Sequence, residues 1–339
     1  MEGKRRKKKR VSIVDVARLA GVSQATAARV FDPKWEGKVR PETQAEVEKA
    51  AKELGYYGVN ALVRGLLGSR TGIVALVMGV TTGYLYLEVI MMFVRALRAK
   101  GWQVLIFETE PTQDVDAVIS QGCSYQVDAI VITAPATASS VINSFCETEI
   151  PVVAFNRAVQ GSHCSAVYCD GRLSATVAAD FLLDHGHRQI AVISGEANVA
   201  KEEGRIEGFC QRVKERGGII TALVTGDYYY SEGYACAQEI LKSGRPDAIF
   251  CAEDSIAMGA MDAARECFGL RVPEDISVMG FDDISVSSFH AYSLTTMRHP
   301  LDKMIQSTIE IVEAMITDPE RRIERIYDME LVVRGSVRL

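Results

Sequence analysis

Four residues near the N-terminus have the types and the spacing to contact nucleic-acid bases. Gln24 and Ala28 are four positions apart in the chain, and Ala25 and Arg29 have the same spacing. On a helix this spacing puts all four on one side, which we call the base-contact strip. The Gln24 amide can pair with adenine and the Arg29 guanidinium with guanine in the major groove, and Ala25 can touch a thymine methyl group. The strip therefore predicts a helix that contacts the edges of bases.

A turn and a preceding helix must position this strip. Ser12 and Asp15 form a capping-box pattern, which predicts that a first helix starts at about residue 13. Gly21 can end that helix, and Ser23 is a good N-cap for the second helix. We interpret the pair as a helix-turn-helix motif with Ser23 and Thr26 among its DNA contacts. The alternative is a small helical hairpin in an unrelated core.

The distribution of charge supports contact with a polyanion. A third helix with Pro41 in its first turn and Gly55 at its end completes an all-α domain expected over residues 11–57, behind a basic tail at residues 1–10. Residues 1–70 hold 16 Lys/Arg and 8 Asp/Glu, a net charge of +8. The other 269 residues hold 22 and 36, a net charge of −14, which makes −6 for the whole chain. A basic head on an acidic body predicts that the head alone meets nucleic acid.

Several other classes of protein are disfavoured by the sequence. No apolar run approaches the roughly 18 residues of a membrane span, and no apolar signal core follows the basic tail, so we expect a cytoplasmic protein without a membrane partner. None of the eight cysteines forms a Cys-x-x-Cys pair, which predicts buried reduced thiols. We expect no cofactor and no catalytic residue, because nucleotide-binding and catalytic motifs are missing. His185 and His187 are too few ligands to predict a metal site.

The body alternates apolar strands with amphipathic helices. Strand candidates are GIVALVM, QVLIF, AIVIT, VVAFN, QIAVIS, TALVT, AIFCA and SVMGF. Continuously apolar strands separated by helices are typical of parallel sheets that are covered on both faces. About 270 residues is too much for one such open sheet, so we predict two doubly wound lobes. In these sheets, ligands bind beyond the carboxyl ends of the strands.

The chain resembles the lactose/galactose repressor family (LacI/GalR) of bacterial transcription regulators. The resemblance lies in VDVARLAGVSQATAARVF, RPETQAEVEKAAKELGY and VNALVRGLLGSRTGIVALVM. It continues through RIEGF, GLRVPEDISVMGFDDIS, LTTMRHP and LVVRGS, and it covers nearly the whole chain after residue 10. The body is then expected to have a fold like that of periplasmic sugar-binding proteins.

The resemblance implies a hinge segment at residues 58–70. In relatives, the stretch that matches residues 60–67 becomes a helix in the minor groove, and a leucine there, matched by Leu66, wedges between base steps. Asn60 and Val63 are the other hinge residues expected to touch DNA. Val63 departs from the alanine that is usual in the family. The loop FDPKWEGKVR is also a couple of residues longer than the common form, and Arg40 replaces a usual serine cap.

The resemblance also implies an effector site in a body at residues 71–339. Its lobes are expected at about 71–166 with 297–326, and at about 167–296 with 327–339. The family's ligand contacts correspond to the following residues of this chain: Asn156, Arg205, Tyr228, Glu253 and Asp282. Glu253 departs from the family's usual asparagine. It either favours a ligand with many hydrogen-bond donors, including a cationic one, or pairs with Arg205 inside the site.

The sequence therefore predicts a homodimeric, sequence-specific transcription regulator rather than an enzyme. We expect it to be a repressor that binds double-stranded operator DNA of near-palindromic sequence in the bacterial cytoplasm, at the nucleoid. A small polar effector, sugar-like or of another class, should change its DNA affinity. The alternative is a regulator of the same family whose body responds to a protein partner or to no effector.

Overall fold

A computed structural model describes most of the chain, which falls into two units. The described residues are 11–31, 35, 37–56, 70–79, 84–109, 124–133, 150–158, 164–195 and 200–339. The units are Met1–Thr71, which we call the head, and Gly72–Leu339, which we call the body. Among the described residues, no helix has both the length and the apolar character that a membrane span requires.

The described head residues form three helices. They are α1 (Ile13–Leu19), α2 (Gln24–Val30) and α3 (Pro41–Leu54). The Asp15 carboxylate accepts a hydrogen bond from the Ser12 backbone N–H at 3.0 Å and so completes the capping box of α1. Gly55 ends α3 with a φ of +68°, in the left-handed region where a side chain would be strained.

Small side chains fill the core of the head. The buried members are Val16, Ala17, Ala27, Val47, Ala50 and Ala51. The rings of Phe31 and Tyr56 close one side of this core edge to face, with centroids 5.5 Å apart. Within α2, Ala27 is the one residue that is fully buried. This helix therefore packs through a narrow stripe and leaves a wide face at the surface of the head.

The first sheet of the body is wholly parallel. Its strands are β1 (Ile73–Gly79), β2 (Gln103–Thr109), β3 (Ala129–Ile132), β4 (Val152–Phe155), β5 (Ser165–Cys169) and β11 (Glu324–Tyr327), in the order β11-β5-β4-β3-β1-β2. Within the part of the chain that the structure describes, two helices pack on it, namely α4 (Tyr84–Ala99) and α9 (Leu301–Thr317). Phe93 of α4 meets Phe155 of β4 edge to face, with ring centroids 4.9 Å apart.

The second sheet is parallel in the order β7-β6-β8-β9. The strands are β6 (Gln189–Ser194), β7 (Ile219–Thr225), β8 (Ala248–Cys251) and β9 (Ser277–Met279), beside an antiparallel pair of β10 (Thr296–Arg298) and β12 (Glu330–Val332). Its helices are α5 (Gly171–Asp184), α6 (Ala200–Glu215), α7 (Tyr230–Ser243) and α8 (Asp254–Phe268). The two sheets confirm the predicted fold class, a helix-turn-helix domain followed by an α/β body with two parallel sheets.

The chain passes between the two sheets three times. It leaves β5 for α5, then β10 for α9, and finally β11 for β12. The expected lobe limits at about residues 167, 297 and 327 stay predictions. The observed ends of β5 and β10 place two of the three passages one or two residues later in the chain than expected. β5 runs on to Cys169, because Cys169 pairs with Tyr327 of β11. β10 runs to Arg298, because Arg298 pairs with Glu330 of β12.

Helices α7 and α8 approach each other closely through two glycines. A Cβ atom on Gly233 would lie 2.1 Å from the backbone oxygen of Ile256, and one on Gly259 would lie 2.1 Å from that of Tyr230. Real Cβ atoms are not found at such distances, so the two backbones touch at positions where only glycine fits. The contact fixes α8, whose N-terminus carries the candidate site residue Glu253 as its cap.

The cysteines differ in part from the prediction. Cys236 and Cys251 are buried free thiols, as the apolar pattern around them predicts. Cys267 is a free thiol but is exposed, because it lies on the outer side of α8. Cys164 is disulfide-bonded, so the prediction of a reduced thiol is wrong for this residue. Cysteine spacing alone does not reveal which cysteines form disulfides.

Candidate DNA-contact surface and ligand site

The first turn of α2 is organised by its own hydroxyl groups. The Ser23 hydroxyl oxygen accepts a hydrogen bond from the Thr26 backbone N–H at 3.1 Å, and the two hydroxyl oxygens are 2.8 Å apart. Ser23 is exposed and Thr26 is half-buried. The cap satisfies an N–H group that the helix itself cannot satisfy. Both predicted contact residues therefore hold the end of the helix as well as lying near its surface.

The base-contact strip lies on the outer side of the head. Gln24, Ala25 and Arg29 are exposed, and Ala28 is half-buried. Three exposed positions of three chemical kinds, an amide, a methyl group and a guanidinium, thus share one short helix. This is the arrangement in which a second helix of a helix-turn-helix presents its side chains to the major groove.

An aromatic residue that the sequence analysis did not single out lies beside the strip. The Arg29 guanidinium carbon is 4.2 Å from the centroid of the Trp35 ring system, and the Lys38 ammonium nitrogen is 5.8 Å from it. Both distances lie within the range of cation–π attraction. The available signal was the tryptophan inside the lengthened loop after α2. The predicted hinge contacts Asn60, Val63 and Leu66 lie outside the described residues.

In the body, a buried arginine organises the candidate ligand site. Arg205 of α6 has 1% of its surface exposed. One terminal nitrogen, Nη1, donates to the backbone oxygen of Ala252, and the other, Nη2, lies 3.6 Å from Oδ1 of Asp282. The guanidinium carbon also lies 3.7 Å from the centroid of the Phe281 ring. Carbonyl, carboxylate and ring face together make the burial of this charge possible.

Asp282 is held by its backbone as well as by its side chain. It follows strand β9 with a φ of +107°, a conformation that L-residues rarely adopt. Its N–H donates to the oxygen of Met297 at 2.8 Å, and its Oδ1 lies 2.9 Å from Nε2 of His299. His299 is a member of the site that sequence reasoning missed, although it stands in the LTTMRHP motif. It is buried at the passage from β10 to α9.

Glu253 has a role that neither sequence alternative included. Its carboxylate caps α8, with Oε2 accepting from the Ser255 N–H at 2.7 Å and Oε1 from the Ser255 hydroxyl at 3.1 Å. Burial raises its pKa well above the usual value, and the negative charges of Asp282 and Asp254 add to the effect. Glu253 and Asp282 therefore influence each other electrostatically, next to the buried guanidinium.

The two remaining predicted residues lie at other strand ends. Asn156 follows β4, has a φ of +60° and is buried, and its amide nitrogen lies 3.4 Å from the hydroxyl oxygen of Tyr86. The ring of Tyr228 packs so closely on Gly195 that a Cβ there would lie 2.6 Å from it. The described contacts thus bring Arg205 and Asp282 together, with Glu253 close by. They place Asn156 and Tyr228 among other neighbours.

The two histidines of the DHGHR segment make hydrogen-bond contacts with other residues of the body. Nδ1 of His185 lies 2.8 Å from the backbone oxygen of Phe181. Nε2 of His187 lies 3.3 Å from the Ser277 hydroxyl oxygen and 3.3 Å from the backbone oxygen of Arg338. Across the described ranges, no group of three or more His, Cys, Asp or Glu side chains is arranged to hold a metal ion.

Beside the site, the buried Asp254 carboxyl connects three segments of the chain by hydrogen bonds. Its Oδ1 accepts from the Thr296 hydroxyl at 2.6 Å, and its Oδ2 accepts from the Ser287 hydroxyl at 2.7 Å and the Ile284 N–H at 2.9 Å. Asp254 begins α8, whereas its donors belong to β10 and to the segment around the 3-10 helix Ser285–Ser288. Burial raises the pKa of Asp254 to about 7, although these hydrogen bonds oppose the shift.

Two protein families match the chain. Residues 12–58 match the family described as bacterial regulatory proteins, lacI family. Residues 179–337 match the periplasmic binding protein-like domain. The first match covers the three helices of the head, and the second covers all four strands of the second sheet together with α9.

Curated relatives match over almost their full length. The ribose operon repressor of Escherichia coli (strain K12) is 28% identical over 330 residues, which is 95% of this chain and 98% of the relative. The transcriptional repressor PurR of Pasteurella multocida (strain Pm70) is 28% identical over 334 residues, covering 96% and 98%. Both are described as repressors, so they support a regulatory rather than an enzymatic role.

Solved structures share the fold. The lac repressor dimer bound to operator and the anti-inducer ONPF superposes with a TM-score of 0.85 at 23% identity, over 98% of this chain and 100% of that one. At this identity the likeness concerns the fold alone. The transcriptional regulator CelR in complex with cellobiose superposes with a TM-score of 0.69 at 26% identity, over 96% and 100%.

The buried Asp254 carboxyl predicts a particular dependence of stability on pH. Its pKa is about 7 in the folded protein, whereas an exposed aspartate has an ordinary pKa of 3.8. Between about pH 4 and 7 the folded state keeps a proton that the unfolded chain has released. Rising pH therefore lowers the free energy of unfolding by up to about 1.4 kcal/mol per pH unit in this window. Asn in place of Asp254 resembles the protonated carboxyl and removes this contribution.

We expect the free energy of unfolding of Asp254→Asn, relative to the parent, to rise between pH 4.5 and 7 and then to level off. Urea unfolding of the body at several pH values measures it. Asp275→Asn is the control, because the hydrogen bond from Arg271 lowers the pKa of Asp275 and its carboxylate stays charged throughout. Parallel pH profiles for Asp254→Asn and the parent would contradict the assignment.

Proposed function

The chain belongs to the lacI family of bacterial regulatory proteins, and we propose that it represses transcription as a homodimer whose operator affinity is modulated by a small polar effector. It is a DNA-binding transcription regulator and not an enzyme. The observation that carries the proposal is the exposed base-contact strip on α2, which the remaining helices of the head hold at its surface. We place its action at the nucleoid in the bacterial cytoplasm, because operator DNA is its partner.

Two copies of the strip account for a near-palindromic operator. Each half-site would meet one α2, with Gln24, Ala25 and Arg29 at base edges and the Ser23–Thr26 cap near the backbone. A symmetric dimer requires the two half-sites to be related by the same two-fold axis. Asn60, Val63 and Leu66 stay in the proposal as minor-groove contacts at the centre of the operator.

The effector site is proposed at the strand ends around Arg205. A guanidinium and a carboxylate side by side can bind neighbouring hydroxyl groups of a polar ligand, and Asn156 and Tyr228 would add an amide and a ring face. Glu253 would act mainly by capping the start of α8 next to this site. The related regulator solved with cellobiose supports a sugar-like ligand.

The dimer surface is proposed on the exposed side of α4. Tyr84, Leu87 and Met91 are 59%, 51% and 53% exposed and lie on one side of the helix. The Ser285 N–H donates to Glu88 at 3.0 Å, so the segment that carries the exposed Phe289 adjoins this helix. A continuous apolar surface of this kind marks a protein interface more often than it remains in water. We call it the α4 surface.

Replacing Arg29 tests the reading of bases. Arg29→Ala should weaken binding of the preferred operator by about 1–3 kcal/mol and relax the preference at one base pair per half-site. The operator is first selected from a random duplex pool, and affinities are then measured by fluorescence anisotropy. Arg18→Ala is the matched control, because Arg18 is exposed on α1 and pairs with Asp15. An equal loss on every sequence would show that Arg29 contacts only phosphate.

Replacing Asp282 tests the effector site. We expect calorimetry with ribose, cellobiose and a panel of other polar metabolites to identify a ligand whose affinity falls about 10- to 100-fold in Asp282→Asn, since a charge-assisted hydrogen bond is lost. Operator affinity without ligand should stay near that of the parent. Asp184→Asn, on the surface of α5, is the control. A ligand bound equally by Asp282→Asn would move the site elsewhere, and no ligand at all would favour a protein-responsive body.

An apolar-to-charged change tests the α4 surface. Leu87→Asp should convert a dimer into a monomer at low micromolar concentration, because the interface would bury an unpaired carboxylate. Sedimentation velocity measures the change. Leu173→Asp is the control, since Leu173 is also 51% exposed but lies on α5. A dimer that survives Leu87→Asp would mean that the subunits meet through another surface.

A further inference from the structure

Trp35 stands apart from the core of the head. The head's described core consists of Val16, Ala27, Val47 and their neighbours, and Trp35 is not among the residues packed on it. The indole is 37% exposed. Its described contacts are instead two cations, the Arg29 guanidinium at 4.2 Å and the Lys38 ammonium at 5.8 Å from the ring centroid. A tryptophan held at the surface by cations therefore needs an explanation other than core packing.

We propose that Trp35 is a positioning residue that holds the Arg29 guanidinium in the orientation in which it reads a base. The inference rests on the proposed function and adds a determinant of specificity outside α2. Arginine has several rotatable bonds, and a free side chain would have to be ordered when it enters the groove. A guanidinium already held over the face of an indole avoids part of that cost.

The geometry of stacking is compatible with base reading. Stacking uses the flat face of the guanidinium, whereas its five N–H donors point outward in the plane of the group. Arg29 is exposed while it lies over the ring, so these donors can meet the acceptors of a guanine from outside. The opposite arrangement, in which Trp35 keeps Arg29 away from DNA, would require the stack to break on binding.

Lys38 gives the ring a second consequence. The positive side chains of Arg29 and Lys38 repel each other. Both lie within cation–π range of the same indole, and its negative face offsets that repulsion. The charge concentrated around Trp35 is then available to a phosphate next to the contacted base. Removing the ring should therefore disturb Arg29 first and the general attraction to DNA only slightly.

A double-mutant cycle on the full-length protein tests the proposal. Affinities for the selected operator, and for operators with each other base at the Arg29-dependent position, are measured for the parent, Trp35→Leu, Arg29→Ala and the double variant. We expect Trp35→Leu to weaken the preferred operator by about 2- to 30-fold and the other operators less, so that discrimination falls. In the Arg29→Ala background the same change should have an effect of less than roughly twofold. Trp35→Phe, which keeps an aromatic face, should restore most of the discrimination.

The other outcomes are equally informative. A loss that is equal on all sequences, or that persists in the Arg29→Ala background, would overturn the proposal and leave Trp35 as a phosphate contact or a fold residue. Tighter binding by Trp35→Leu would show that the stack restrains Arg29 from DNA. If the parent itself shows no sequence preference, the proposed function fails. If the parent discriminates between operators but the effects of Trp35→Leu and Arg29→Ala are additive, only the proposal for Trp35 is overturned and the proposed function stands.

Fluorescence gives a readout that does not depend on DNA. The chain has two tryptophans, so Trp102→Phe leaves Trp35 as the sole tryptophan reporter. In this background Arg29→Ala should change the emission of Trp35 in the free protein, whereas Arg18→Ala should not. Thermal unfolding of each variant verifies that the head remains folded. Unchanged emission in Arg29→Ala would show that the stack is not populated in solution.

Discussion

The buried positive charge of Arg205 is the interaction on which the candidate ligand site of the body depends. Arg205 is almost completely buried, and a guanidinium cannot lose its proton to escape the cost of burial. Its neighbours must therefore supply the compensation, and they do so from separate segments: the backbone oxygen of Ala252 after β8, the ring of Phe281 and the carboxylate of Asp282 after β9. Because all of these stand at carboxyl ends of strands, stabilising this one charge also fixes the place at which an α/β sheet binds ligands.

Two of the predicted site residues at the strand ends are conformationally unusual. Asp282 and Asn156 both have positive φ values, which only a surrounding structure can hold in residues with a side chain. The turn after β9 is anchored by Asp283, which pairs with Arg298 at 2.6 Å and Arg334 at 2.7 Å. Next to it, Asp254 ties the start of α8 to neighbouring segments. Acidic side chains thus act here chiefly as acceptors for backbone and side-chain donors from other elements.

The sequence predicted the framework well, because the framework depends on local pattern. All eight strand candidates appear within observed strands or extend them by a residue or two, since continuous apolar runs are typical of buried parallel strands. Strands β5, β10, β11 and β12 were not predicted. β11 and the β10–β12 pair are short and partly exposed, so they lack that pattern, and β5 shows only a weak one. At the site, the family resemblance pointed to Arg205 and Asp282, but the cap made by Glu253 and the contacts of His299 and Trp35 depend on three-dimensional neighbours that spacing does not encode.

The position of His299 links the ligand site to the connection between the sheets. His299 contacts Asp282 at 2.9 Å, and it stands between β10, which pairs with β12 beside the second sheet, and α9, which packs on the first. A ligand that binds the Asp282 carboxylate must compete with this contact or add to it. In either case the ligand changes the interactions of His299, which lies on a connection between the two sheets. Other residues need not transmit the effect over a long distance. A ligand can bias the relation of the lobes only as far as it interacts differently with their two arrangements. Asp282 and His299 are the pair of side chains at which such a difference would first arise.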